Sequence, residues 1–252
     1  MEFLSPRTDI LTNIVLTMAE FLDKYRFIVV HGAGSFAHPY AKAFHLKNGY
    51  KSPHQIFGVT QTHESMLDLN SIILEVGQQF QVPFLSFPPL TSCVASNGRI
   101  KTWDLEPLRR ALDLGFIPIT FGDVVFDVEQ SFCILSGDQI VPYIAGQFPI
   151  SKILMLTDVD GVFSKNPKTN PEARKLDILN LNDKKLLKEI FGTAAAETKV
   201  RVTGEMEKKL EELIPSLKSG VETWVGNGMD TNFLRAHLER QSPDLGTKIV
   251  FS

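Results

Sequence analysis

The sequence predicts an α/β protein whose sheet is mainly parallel and covered on both faces. Three observations carry this. Short apolar runs without alternation recur, as at residues 27–30, 82–87 and 117–121, the pattern of strands buried on both faces. Segments with apolar residues at helical spacing separate them. Turns of Gly, Ser and Asp close the apolar runs, where one element gives way to the next.

The elements follow in order. Residues 8–24 place Ile10, Leu11, Ile14, Val15, Met18, Phe21 and Leu22 on one helical face. Residues 27–30 form a buried strand ending in the glycine turn "HGAGS". A short helix is expected over 39–44 and a longer one over 53–79. Residues 82–87 form a strand. The Asn-Gly pair in "SNGRIKTW" predicts a hairpin over 93–103. A helix over 106–114 stops at Gly115. "FIPITFGDVVFD" reads as strand, turn, strand, and "SFCILSGDQIVPYIAGQF" as strand, turn, helix. "SKILMLTDVDGVF" is a strand with an acidic turn. "TGEMEKKLEELIPSLKSG" is one helix closed by Gly220, "VETWVG" a strand, and 246–251 a last strand. No repeat, linker or low-complexity segment interrupts the chain. Residues 164–176 are polar, carry two prolines and read as a surface loop or a boundary between lobes. A single domain over 1–252 is expected.

A chain of 252 residues, 43% apolar, buries a sizeable core. Its net charge of −3 gives no global basic field, so neither nucleic acid nor an anionic membrane is an expected partner. Two cysteines, Cys93 and Cys133, point away from a disulfide scaffold and toward a reducing cytoplasm. The N-terminus lacks a basic segment followed by an apolar core, and no apolar run approaches the roughly 18 residues of a membrane span.

In parallel α/β sheets, ligands sit at the carboxyl ends of strands. Turns follow apolar runs at 31–35, 122–123, 136–138 and 157–161. Glycine lets backbone approach a ligand, and free N–H groups at a helix start bind phosphate without net charge. The Gly-Asp pair at 122–123 reads more simply as a tight turn. "GAGS" lacks the Gly-Lys-Ser/Thr of a P-loop and the third glycine of the dinucleotide fingerprint. His45, His54, His63 and His237 stand in polar or helical contexts and read as surface or packing residues. No His/Cys pattern supports a zinc site. His31 ends a strand and is expected to brace neighbouring loops. His38 is expected at a helix start, where its N–H can meet an anion held by the glycine turn.

"HGAGSFAHP", "SGDQIVPYIA", "TDVDGVF" and "VTGEMEKKL" resemble, in order, the motifs of the amino acid kinase superfamily, and within it those of the isopentenyl phosphate kinases. "TDVDGVF" is shared widely in the superfamily; the histidine of "HGAGSFAHP" is the specific feature. The resemblance implies a three-layer αβα sandwich, ATP and Mg²⁺, a homodimer, and transfer of phosphate from ATP to isopentenyl phosphate. It assigns Ala33, His38 and Gly137 to the acceptor phosphate, with His38 as the catalytic residue. Gly34, Asp158, Gly204 and Lys209 are assigned to ATP, with Asp138 and Asp160 near the nucleotide. The lobe over about 1–150 would bind the acceptor and that over 151–252 the ATP. No metal-ligating residue is assigned. A phosphate acceptor is already an anion, so positioning and relief of repulsion matter more than a general base. Ile56, Phe57, Met66, Leu69 and Ile73 are candidates to line an isoprenoid pocket, and equally to be core.

The sequence departs from the family pattern at three places. The family's opening strand with Lys-x-Gly-Gly-Ser has no counterpart in residues 1–24, which hold a helix. Its Gly-Gly-Met reads Gly204-Glu205-Met206, preceded by Arg201 instead of the usual Asp. Its glycine before the specific histidine is Ala37. An N-terminally short sequence of an active kinase would account for the first departure, and a diverged member for the second. A fosfomycin-type or acetylglutamate-type kinase and a non-catalytic binding protein are the competing functions.

Overall fold

The computed structural model describes residues 6–192, 202–240 and 245–252. They form two compact units, Met1–Val141 and Pro142–Ser252. Both are α/β, and parallel strand pairs outnumber antiparallel ones, as the apolar runs predict.

The first unit opens with helix α1 (Thr8–Ala19), strand β1 (Val29–His31) and helix α2 (Gly34–Ala43). The long helix α3 (His54–Gln79) leads to β2 (Phe84–Ser86), and the hairpin β3 (Cys93–Ser96) and β4 (Arg99–Trp103) follows. Helix α4 (Glu106–Asp113), then β5 (Ile117–Phe121), β6 (Asp123–Asp127) and β7 (Ser131–Leu135), bring the chain to α5 (Gly137–Gln147). β5 lies between β1 and β2, parallel to both, and all five of its residues are buried. That full burial is why its sequence shows no alternation. A second sheet runs β4-β3-β6-β7. Its hairpin turn has Asn97 and Gly98 at φ 50° and 73°, as an Asn-Gly hairpin turn requires. Asp127 receives N–H bonds from Asn97, Gly98, Glu129 and Gln130, locking that turn to the next.

α2 begins earlier than Pro39, because Phe36 N–H bonds Ala33 O at 3.0 Å and starts the turn there. Pro39 then lies inside the helix.

The second unit holds β8 (Lys152–Thr157), β9 (Ile178–Asn180), α6 (Lys184–Gly192), α7 (Val202–Glu212), α8 (Ile214–Lys218), β10 (Glu222–Asn227), α9 (Asn232–Leu238) and β11 (Thr247–Val250). Its sheet runs β8-β10-β11-β9, with only β10–β11 antiparallel. Ile153, Leu179, Val225, Phe233 and Ile249 are buried there. The single helix expected over 203–220 is two, α7 and α8: Pro215 stands in the first turn of α8, where its missing N–H costs nothing. Gly220, at φ 82°, ends the second. Among the described residues, no helix is long and apolar enough to cross a membrane.

Candidate active site

In the first unit the turns after β1, β5 and β7 converge. His31 O accepts the Gly122 N–H at 3.1 Å. A Cβ at Gly122 would stand 3.1 Å from both Gly137 N and Leu135 O. A Cβ at Gly137 would stand 3.5 Å from His31 O and from a Val30 methyl. Gly122 thus lets strand-end backbones approach more closely than a side chain allows, whereas a Cβ at Gly137 would meet only ordinary contact. Ala33 caps α2 and packs on Ala37, Met66 and Phe121. Gly34 has φ 49° and opens onto free space. His38 is exposed in the second turn of α2. Ala33 and Gly34 follow the β1 turn, whose His31 O lies near Gly137, and His38 stands one turn further along α2. Asp138 stands in the first turn of α5.

One face of α3 reaches the ends of β1, β2 and β5. Asn70 Oδ1 lies 3.4 Å from His31 Nε2, and Asn70 Nδ2 donates to Ser86 Oγ at 2.8 Å. The His31 ring also lies 4.9 Å from that of Phe121, and burial pushes its pKa down. His31 is thus a bracing residue, as its place at a strand end suggests. Met66 packs on Ala37 and Phe121. The Ala37 methyl, where the family pattern has glycine, fills core space there.

His63 completes the stripe. Its Nδ1 lies 2.7 Å from Asp123 Oδ2, and the Asp123 side chain has no exposed surface. Asp123 Oδ1 accepts the Val124 N–H at 2.7 Å. The bond to Asp123 raises the His63 pKa, while burial pushes the Asp123 carboxyl up against the pull of His63. His63 is therefore more than a surface or packing residue, and the Gly-Asp turn more than a tight turn. Sequence spacing gives no sign of this pair, whose members are 60 residues apart.

In the second unit the turn after β8 is braced by the end of β10. Gly228 N–H bonds Thr157 O at 2.7 Å, and Thr157 Oγ1 donates to Gly226 O at 3.2 Å. Asn227 Nδ2 donates to Asp160 Oδ1 at 2.8 Å. Asp158 is exposed and paired with Lys168, whose hydrogen bond lowers the carboxyl pKa. Lys168 belongs to the polar loop over 164–176 and carries no motif that would single it out. Gly204 and Lys209 lie on α7, whose contacts run to α6 and α8. Lys209 is half-buried and Lys208 exposed. Arg201 and the side chain of Glu205 lie outside the described residues. So does any metal-ligand set they would join; among the described residues, no three acidic, His or Cys groups cluster to hold an ion.

The pocket candidates separate. Met66 and Ile73 are core at 0% and 6% exposure, whereas Ile56 and Phe57 are 58% and 59% exposed. Leu69 is half-buried. His237 is buried against Phe233 and Trp224, a packing residue as expected.

The amino acid kinase family profile matches residues 2–227. Isopentenyl phosphate kinase of Methanothermobacter thermautotrophicus is 32% identical over 206 residues, covering 79% of this chain and 75% of the relative. That of Methanocaldococcus jannaschii is 30% identical, with 98% of this chain and 92% of the relative covered. A crystal structure of isopentenyl phosphate kinase superposes with a TM-score of 0.81 at 27% identity, covering 97% of this chain and 91% of the other.

Proposed function

The chain belongs to the amino acid kinase family, in the company of the isopentenyl phosphate kinases, and on that premise we propose that it converts ATP and isopentenyl phosphate to ADP and isopentenyl diphosphate. What supports the acceptor assignment is the convergence of the three glycine turns in the first unit, with His38 on the helix that follows the first of them. Backbone N–H groups at Ala33 and Gly137 hold the acceptor phosphate, and the His38 ring donates to it. Gly34, Asp158, Gly204 and Lys209 serve ATP. Mg²⁺ enters with the nucleotide, held chiefly by its phosphates, as that ion's preference for few protein ligands allows.

In this reading an acceptor phosphate oxygen attacks the γ-phosphorus, a new P–O–P bridge forms, and the bond to the β-phosphate oxygen breaks to release ADP. With the acceptor as its dianion, no proton needs to move. The protein supplies alignment and relief of repulsion between two anions. The first unit is the acceptor lobe and the second the ATP lobe. The protein acts as a homodimer in the cytoplasm, where its two buried free cysteines stay reduced.

The test is phosphorylation of isopentenyl phosphate with Mg-ATP, followed by ³¹P resonances of the diphosphate. Turnover is expected, and His38→Ala should lower kcat/KM about 100-fold or more, the loss typical of one transition-state donor. No diphosphate product from the intact protein would overturn the assignment.

A further inference from the structure

His63, Met66 and Asn70 stand at i, i+3 and i+7 on α3, one stripe of one helix. Met66 and Asn70 are spent on packing and on bracing His31. His63 differs. Its Nδ1 is committed to Asp123, whereas Nε2 has no hydrogen-bond partner among the described residues. The side chain is 18% exposed, and Nε2 is not among the buried atoms left without a partner, so it is the part of the ring that reaches solvent. A donor that is fixed in orientation and open to solvent is free to meet a ligand. The carboxylate behind it is costly to bury, and both its oxygens are used to fix the ring and the Val124 N–H. Asp123 directly follows Gly122, the residue that touches both Gly137 and His31 at the convergence of turns. A histidine clamped by a buried carboxylate keeps one ring orientation and favours its cationic form.

We infer that His63 is a second acceptor-binding side chain: Asp123 holds its Nδ1–H, and its Nε2–H is presented to the phosphate of the acceptor, alongside His38. This deepens the proposed reaction and rests on it. Asp123 is then a positioning residue, since it acts through the ring.

Calorimetric binding of isopentenyl phosphate, together with steady-state kinetics, tests this in the intact protein. His63→Asn keeps a donor near Nδ1 for Asp123 but removes Nε2. It should weaken acceptor binding and raise the acceptor KM about 10- to 100-fold, the range for a lost bond to a charged group. The KM for Mg-ATP should stay within about twofold. His63→Gln, whose amide reaches the Nε2 position, should recover part of the acceptor affinity. Melting temperatures of both variants show whether they fold. Acceptor binding by folded His63→Asn equal to that of the unmutated protein would overturn the role of His63 alone. Absence of both binding and turnover in the unmutated protein would overturn the substrate assignment, and the role of His63 with it.

Discussion

At the scale of single residues, the proposed chemistry turns on histidines that look alike in sequence and differ in surroundings. His38 is exposed, His31 is braced and has its pKa lowered by burial, and His63 is clamped by Asp123. The clamp should be visible in stability. Asp123→Ala would leave the Val124 N–H and the His63 ring without their buried acceptor, a loss of about 3–5 kcal/mol by the precedent of broken buried pairs. Urea denaturation measures it, and a loss below about 1 kcal/mol would mean the site relaxes around the gap. The pH dependence has a definite sign. The pKa of His63 is raised in the folded protein, so its stabilisation is complete below the ordinary histidine value and fades as pH rises through the raised one. The gap in urea midpoint between the unmutated protein and His63→Asn should therefore narrow with rising pH over that window. A gap independent of pH would show that charge is not what the pair contributes. His38 and its glycine turn could be proposed from the sequence because their residues are contiguous. The His63–Asp123 pair was not, since periodicity reports which face of a helix is apolar and says nothing about which distant turn a polar residue meets.

At the scale of elements, the glycines are not equivalent, and substitution should separate them. Gly122→Ala sets a methyl group 3.1 Å from two backbone atoms, Gly137 N and Leu135 O, neither of which can swing away. It should destabilise by about 1–3 kcal/mol, as overpacking does, and disturb acceptor KM with it. Gly146→Ala, in α5 with nothing within 4 Å, should instead stabilise by about 0.4–1 kcal/mol by restricting the unfolded chain. Thermal melting of the two variants checks both signs, and destabilisation by Gly146→Ala would contradict the open space seen there. Sequence reading did best where local chemistry dictates local shape. The Asn-Gly pair located the β3–β4 hairpin, and the fully apolar run located β5. It did worse where a neighbour decides. Pro39 suggested a helix start, yet the Ala33–Phe36 turn had already begun α2. The charged run from 202 looked continuous, but breaks before Pro215. β9, α6 and α9 follow polar loops whose weak patterning offers no period to read. The stripe of Met66 and Ile73 became core, while Ile56 and Phe57 of the same helix reached the surface, because α2 covers only part of α3.

At the scale of the whole molecule, two compact units, one with two sheets and one with a single sheet, each bury a core of their own. Alternating apolar strands and helices made the α/β class legible, since covered parallel strands impose that pattern regardless of function. The proposed division of labour rests on motifs: "HGAGSFAHP" and "SGDQIVPYIA" begin in the first unit, and "TDVDGVF" and "VTGEMEKKL" fall in the second. That division predicts where each ligand slows amide exchange. A ligand at about 100 times its Kd adds about 2.7 kcal/mol to the state it binds, close to a 100-fold slowing for amides exposed by opening of its site. Isopentenyl phosphate alone should protect amides near residues 32–38, 122–123 and 136–138, in the turns joined by the Gly122 and Gly137 contacts. A non-hydrolysable ATP analogue alone should protect residues 157–161, whose turn is tied to β10 through Thr157 and Asn227, together with α7 and the amide of Gly34, which the proposed site gives to ATP. Hydrogen exchange read by mass spectrometry resolves these segments. Protection by isopentenyl phosphate confined to 157–161 would reverse the assignment of the two units. Equal protection of both sets by either ligand would instead show that each ligand stabilises the whole chain through coupled opening, in place of two separately guarded sites.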